Sequence, residues 1–142
     1  MASKSSYWLL KTEPSTYSFA TLQKEGRTNW NGIRNFQARN FLKLLKKNDL
    51  ALIYHSGDEK AVVGIARVVT EAYPDPDANK PGEWVQIDLE PVEALSAPVP
   101  LSAIRSSRTL ADLPLIRQSR LSVMPISEIH FKTLCDLRGG ER

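Results

Sequence analysis

An indole in a polar turn is the first group in this chain with chemistry to offer. Trp30 lies between Asn29 and Asn31, with Arg34 and Asn35 just beyond. A large aromatic so placed either plugs a core or presents a flat face. As a face, it stacks a planar base for roughly 1–3 kcal/mol. Short polar groups collect at two further turns, Lys11-Thr12-Glu13 after an apolar run and Tyr54-His55-Ser56 after another. Asn, Thr, Glu and backbone groups read the edge of a base, while Arg and Lys meet phosphates. Trp8 alternates with Tyr7 and belongs in a core; Trp84 follows a Pro/Gly loop and suits either role.

Catalytic constellations are scarce. The sequence has no Gly-rich P-loop, dinucleotide fingerprint, G-x-S-x-G elbow or H-E-x-x-H. His55 and Ser56 are adjacent, and neighbours on a strand point to opposite faces, a poor arrangement for a base and its nucleophile. Cys135 is the sole cysteine and reads as an inert buried thiol on an apolar helix side. With one cysteine and two histidines (His55 and His130), no metal site and no cofactor are expected. An enzyme on a small nucleotide-like substrate, using Glu13 or His55 as acid or base, is the rival reading, and a sensor of a small molecule or signalling nucleotide is a third.

These groups need elements to position them. Tyr7–Lys11 is predicted as a strand closed by Pro14. A short helix runs from its cap Ser18 through Phe19, Leu22 and Lys24 to a left-handed stop at Gly26. Residues 27–34 read as loop, and Asn35 caps a helix whose Ala38, Phe41, Leu42 and Leu45 form one stripe. That helix is expected to run to Lys47. Strands are expected over 51–55, 61–69 (with Gly64 marking a bulge or close approach) and 84–90. Residues 74–82 are a loop by composition, and 91–100 wander. Short helical turns are expected at 101–105 and 109–113, and a strand over 120–123 stopped by Pro125. Ser127 caps a last helix, with Ile126 and Phe131 spaced as a hydrophobic staple.

The 142 residues amount to one domain, 1–142, long enough to bury about two thirds of the unfolded surface. Neighbouring strands without a helix between each pair favour a small mixed sheet or barrel over a doubly wound fold. Hydrophobic residues are 42% and charged residues 25%, an ordinary globular balance that excludes a disordered chain. No apolar run reaches the roughly 18 residues of a membrane span, so a cytoplasmic protein without a membrane partner is expected. Nothing indicates an obligate coiled dimer, and a monomer is favoured. Charge is segregated. Residues 1–47 hold nine Lys and Arg against two acidic residues, net +7; residues 48–99 net −7; residues 100–142 net +3. If the two basic stretches share a face, that face attracts polyanions.

The segments Tyr7-Trp8-Leu9-Leu10-Lys11-Thr12-Glu13-Pro14, Trp30-Asn31-Gly32-Ile33-Arg34-Asn35-Phe36-Gln37-Ala38-Arg39-Asn40, Tyr54-His55-Ser56, Val63-Gly64-Ile65-Ala66, Tyr73-Pro74-Asp75-Pro76 and Arg120-Leu121-Ser122-Val123 resemble, in this order, the motifs of the EVE domain. The resemblance runs from about Ser6 to Leu137. It implies an α+β, PUA-like fold: a small mixed, mostly antiparallel β-barrel with peripheral helices, akin to YTH and ASCH domains. It also implies a non-catalytic module whose pocket takes a modified base of DNA or RNA, such as a methylated or hydroxymethylated cytosine. By motif order Trp30 corresponds to the aromatic cage position of the YTH relatives. The family's usual Trp-Asp-Gly is Trp30-Asn31-Gly32 here, which replaces an acceptor by an amide that also donates.

The expected pocket comprises Lys11, Thr12, Glu13, Trp30, Asn31, Arg34, Asn35, His55, Ser56, Arg120, Leu121 and Ser122. Trp30 stacks; Thr12, Asn31, Asn35 and Ser56 supply edge hydrogen bonds; Lys11, Arg34, Arg39, Lys43 and Arg120 meet phosphates. The competing role for Arg34 and Arg120 is an ion pair with Glu13 or Asp75. One buried methyl is worth about 0.8 kcal/mol, roughly a fourfold preference, so a reader of modification needs several walls or a penalty against the unmodified base.

Overall fold

The computed structural model describes residues 6–76, 84–118 and 120–137. The part of the expected 74–82 loop beyond Pro76, and Lys4 among the basic residues counted above, lie outside them. The described elements are β1 (Tyr7–Thr12), α1 (Phe19–Glu25), β2 (Thr28–Trp30), α2 (Phe36–Leu42), β3 (Leu50–His55), β4 (Ala61–Pro74), β5 (Val85–Pro100), α3 (Leu101–Arg105), α4 (Pro114–Arg117), β6 (Val123–Ile126) and α5 (Glu128–Leu137).

Six strands form one sheet in the order β2-β5-β4-β3-β1-β6. Only β1 and β3 pair in parallel, placing Thr12 opposite His55; every other pairing is antiparallel. The expected mixed, mostly antiparallel sheet is present, but it does not close: β2 and β6 remain its two ends. The barrel is therefore one only loosely. Helix α2 packs against both β6 and β5. It thus spans the gap that strand pairing leaves open.

Local chemistry explains where the elements begin and end. The Ser18 side chain accepts from the Thr21 N–H, and Gly26 closes α1 at φ 78°. The Asn35 side chain accepts from the Ala38 N–H to start α2. That helix stops at Leu42, short of the expected Lys47. Asp49, nearly buried, accepts from the Lys46 N–H at 2.9 Å, the Ser6 N–H at 2.9 Å and the Trp8 indole N–H at 3.0 Å, and so holds residues 46–49 in a turn. Leu45 is buried all the same.

Four other expectations are corrected. Residues 28–30 form a strand, because β5 supplies a pairing edge to a segment that propensity leaves as loop. Strand β5 continues through 91–100, accommodating Pro91 by shifts of register against β4. The last strand spans 123–126 rather than 120–123; Pro125 does not stop it, since β6 is an edge strand that needs no donor on its outer side. Residues 109–113 are a turn, and the helical piece follows it as α4.

The core gathers Leu9, Leu10, Leu52, Ile53, Val62, Ile87, Leu89 and Leu134 from the sheet and α5. Gly64 is the close approach its position implied: a Cβ there would lie 2.5 Å from the Phe19 ring. Cys135 is half-buried against this core rather than enclosed in it. Among the described residues no helix is long and apolar enough to cross a membrane.

Candidate functional site

Beyond the carboxyl end of β1 the chain leaves a hollow of about 530 Å³, lined by Lys11, Thr12, Glu13, Thr16, Tyr17, Glu25, Thr28, Asn29, Trp30, Asn31, Gly32 and Ile33. The size suits a small ligand, for which sites run roughly 300–1,000 Å³. Strands β1 and β2 lie far apart in the sheet order, yet both contribute walls, because the sheet curls until β2 faces the end of β1.

Trp30 is 7% exposed, so most of the ring is core, and the remaining strip lines the hollow. Tyr17 meets it edge-on, with centroids 6.1 Å apart at 87°. The Tyr17 hydroxyl donates to Glu25 Oε1 at 2.6 Å, and the Thr12 hydroxyl donates to the Tyr17 carbonyl at 2.8 Å. Burial, helped by the Glu25 carboxylate, pushes the Tyr17 hydroxyl pKa above its ordinary value. The phenol therefore stays a neutral donor at physiological pH.

Lys11 is the one cation among the lining residues, against the carboxylates of Glu13 and Glu25. Its ammonium lies 5.8 Å from the Tyr54 ring centroid, and partial burial lowers its pKa below the ordinary lysine value. Glu13 is held by the backbone and hydroxyl of Ser15 at 3.1 and 3.0 Å. Its carboxylate also fills the space above Gly57, where a Cβ would collide with it. The hollow is accordingly polar with mixed charge, not the cationic cleft that segregation along the chain suggests.

Behind β2, Asp88 accepts from Asn29 Nδ2 at 2.8 Å and from the Tyr73 hydroxyl at 2.6 Å, and Arg27 stands 3.5 Å away. Burial pushes the Asp88 carboxyl pKa up, but hydrogen bonds from Tyr73, Asn29, Thr70 and Arg27 outweigh it and hold the group below its ordinary value. This network fixes Asn29, and with it the strand that presents Trp30.

The remaining expected residues are dispersed. Asn35, Arg120 and Leu121 line a separate depression of about 340 Å³ with Gln37, Arg117 and Gln118. Ser122 joins the two regions through its carbonyl, which accepts from the Lys11 N–H at 2.9 Å. Arg34 has the competing role: its Nη1 donates to the enclosed Asp75 carboxylate at 3.1 Å, and Asp75 also accepts from the Gly32 N–H at 3.1 Å. That carboxylate thereby pins the 31–34 turn carrying Asn31. Lys43 is exposed at the end of α2, and Arg39 is half-exposed on it.

His55 does not line the hollow. It is 7% exposed; Nε2 accepts from the Phe19 N–H at 3.0 Å, satisfying an orphan donor of the first turn of α1, and Nδ1 faces Glu59 at 2.7 Å. A lone pair committed to a backbone N–H gives this imidazole a structural task. Ser56 is also outside the lining, its N–H donating to the Thr12 carbonyl at 2.9 Å. Residue patterns missed Thr16, Tyr17, Glu25 and Thr28. Tyr17 carried the same signal as Trp30, an aromatic in a turn of polar residues.

Comparison with known proteins matches the EVE domain over residues 6–137. Human thymocyte nuclear protein 1 is 29% identical over 170 aligned positions, covering 96% of this chain and 76% of that one. Protein Atu2648 from Agrobacterium tumefaciens has a crystal structure that superposes with TM-score 0.92 at 33% identity, covering 95% of this chain and 94% of that one. Human THYN1 protein, solved in complex with 5-methylcytosine containing DNA, superposes with TM-score 0.88 at 29% identity, covering 97% and 100%. An ASCH structure from Zymomonas mobilis, 12% identical at TM-score 0.58 and covering 94% and 96%, shares the PUA-like fold alone. With a family match over nearly its whole length, the chain belongs to the EVE domain family.

Proposed function

We propose that this protein is a non-catalytic nucleic-acid-binding module, and that the hollow beside Trp30 receives one flipped or unpaired base bearing a modification such as a 5-methyl group on cytosine. The observation that carries the reading is a base-sized polar hollow with an aromatic wall in a chain whose relative, human THYN1, was solved with 5-methylcytosine containing DNA. Glu13 and Glu25 are acceptors for an exocyclic amine, and Asn31 can both donate and accept at a base edge. The Trp30 strip and Tyr17 contribute apolar contact. Phosphates stay outside, near Lys43, Arg39 and Arg120.

The enzyme reading has little support in the geometry. The Nε2 of His55 is committed to the backbone, which leaves Glu13 as the one acid or base of the rival scheme within the hollow. The test is binding of short labelled single strands with and without a central 5-methylcytosine, to wild type and to Asn31→Ala. Wild type should prefer the methylated strand by about fourfold or more, and Asn31→Ala should lower the affinity for it. Equal affinity of wild type for the two strands, with Asn31→Ala unchanged, would overturn the reading.

A further inference from the structure

Phe36 opens α2 with 56% of its surface exposed. A single exposed apolar residue needs no explanation, but Phe36 is not single. Its ring stacks on Trp84 with centroids 5.0 Å apart at 29°. The Arg39 guanidinium stands 4.9 Å from the Phe36 ring and 5.5 Å from that of Trp84, and Arg34 stands 5.8 Å from Trp84. Two rings and two guanidinium groups therefore share one patch, and neither ring lines the hollow. The next residue along α2, Gln37, lines the depression that also holds Arg117 and Arg120. Guanidinium groups thus stand beside the rings and in the depression reached from the next residue of the helix.

We propose that the Phe36–Trp84 pair is a second contact for a nucleic-acid strand, stacking one unpaired base outside the hollow while Arg39 meets its phosphate. The proposal rests on the reading that the partner is a nucleic acid, and it assigns the platform no part in recognising a modification. Aromatic rings beside guanidinium groups fit this occupant because every base has a π-face and every nucleotide a phosphate. Such a platform is indifferent to sequence and supplies affinity, whereas the hollow supplies discrimination. An acidic peptide is the alternative occupant of the same patch.

The experiment measures affinity for an unmodified and a 5-methylcytosine-containing single strand in wild type, Phe36→Ala, Phe36→Leu and Asn31→Ala, with thermal melting to confirm folding. Phe36→Ala should weaken both strands by the same factor, about tenfold. Phe36→Leu should behave like Phe36→Ala, since it keeps apolar bulk without a ring. Asn31→Ala, which removes an edge contact in the hollow rather than on the platform, should weaken binding of the methylated strand. Unchanged affinity in Phe36→Ala, or full rescue by Phe36→Leu, overturns the platform while leaving the hollow reading intact. A loss in Phe36→Ala without any preference for the methylated strand in wild type removes the hollow reading and leaves the platform. Absence of strand binding in wild type overturns both.

Discussion

Asn31 and Trp30 are neighbours with opposite duties, and their environments separate them. The indole is mostly core, so Trp30→Ala should cost about 3–5 kcal/mol of stability, measured by denaturant unfolding. A binding defect in that variant would not isolate a stacking role; Trp30→Phe, which retains a ring, is the better probe. The sequence placed Trp30, Thr12 and Glu13 in one site because turns rich in polar groups around an aromatic are visible in one dimension. It offered Asp75 as one of two partners for Arg34, which the structure bears out, but it could not reveal that His55 spends its lone pair on the Phe19 N–H, more than thirty residues distant. Asp88 is likewise invisible as a network centre. Its carboxyl is held below its ordinary value only in the folded state, so the unfolded chain binds the proton more readily. Asp88 therefore adds stability above the unfolded pKa of about 3.9, and that contribution is lost as pH falls through the folded pKa. The melting temperature of wild type should fall over that acid window, and Asp88→Asn should flatten the dependence.

Helix starts were the most legible elements, since a cap is a local event: Ser18 and Asn35 both accept from the N–H three residues on. Asn35→Ala should cost about 1 kcal/mol in thermal unfolding. What escaped was set by pairing with distant chain. Strand β2 exists because β5 offers an edge, β5 runs on because β4 can slip register beside it, and α2 ends early because Asp49 reaches back to Lys46. Gly64 was flagged from sequence, but its partner Phe19 was not. A methyl added there must displace an enclosed ring, so Gly64→Ala should destabilise the fold by about 1–3 kcal/mol. Asp75→Ala should also cost about 1–3 kcal/mol, because the Gly32 N–H and Arg34 both lose their acceptor.

Across the whole molecule, the charge asymmetry of the sequence does not map onto the hollow, whose lining holds two carboxylic residues and one lysine. The cations available to a strand stand outside it, on α2 and beside Arg120, so recognition and attraction are divided between different surfaces. A single strand held through about three phosphates should show a log–log salt slope near −2, whereas a free nucleoside entering the hollow should show almost none. The α+β class and motif order were legible because the resemblance spans the chain; the open edge between β2 and β6 was not, because closure depends on curl rather than residue type. The central claim, that a base enters beside Trp30, is tested most directly by following the indole N–H resonances of Trp8, Trp30 and Trp84 by NMR during titration with a methylated single strand. The account predicts that the Trp30 signal moves as binding saturates while that of Trp8, bonded to Asp49, stays fixed. A Trp30 signal that stays in place while the strand binds would contradict it.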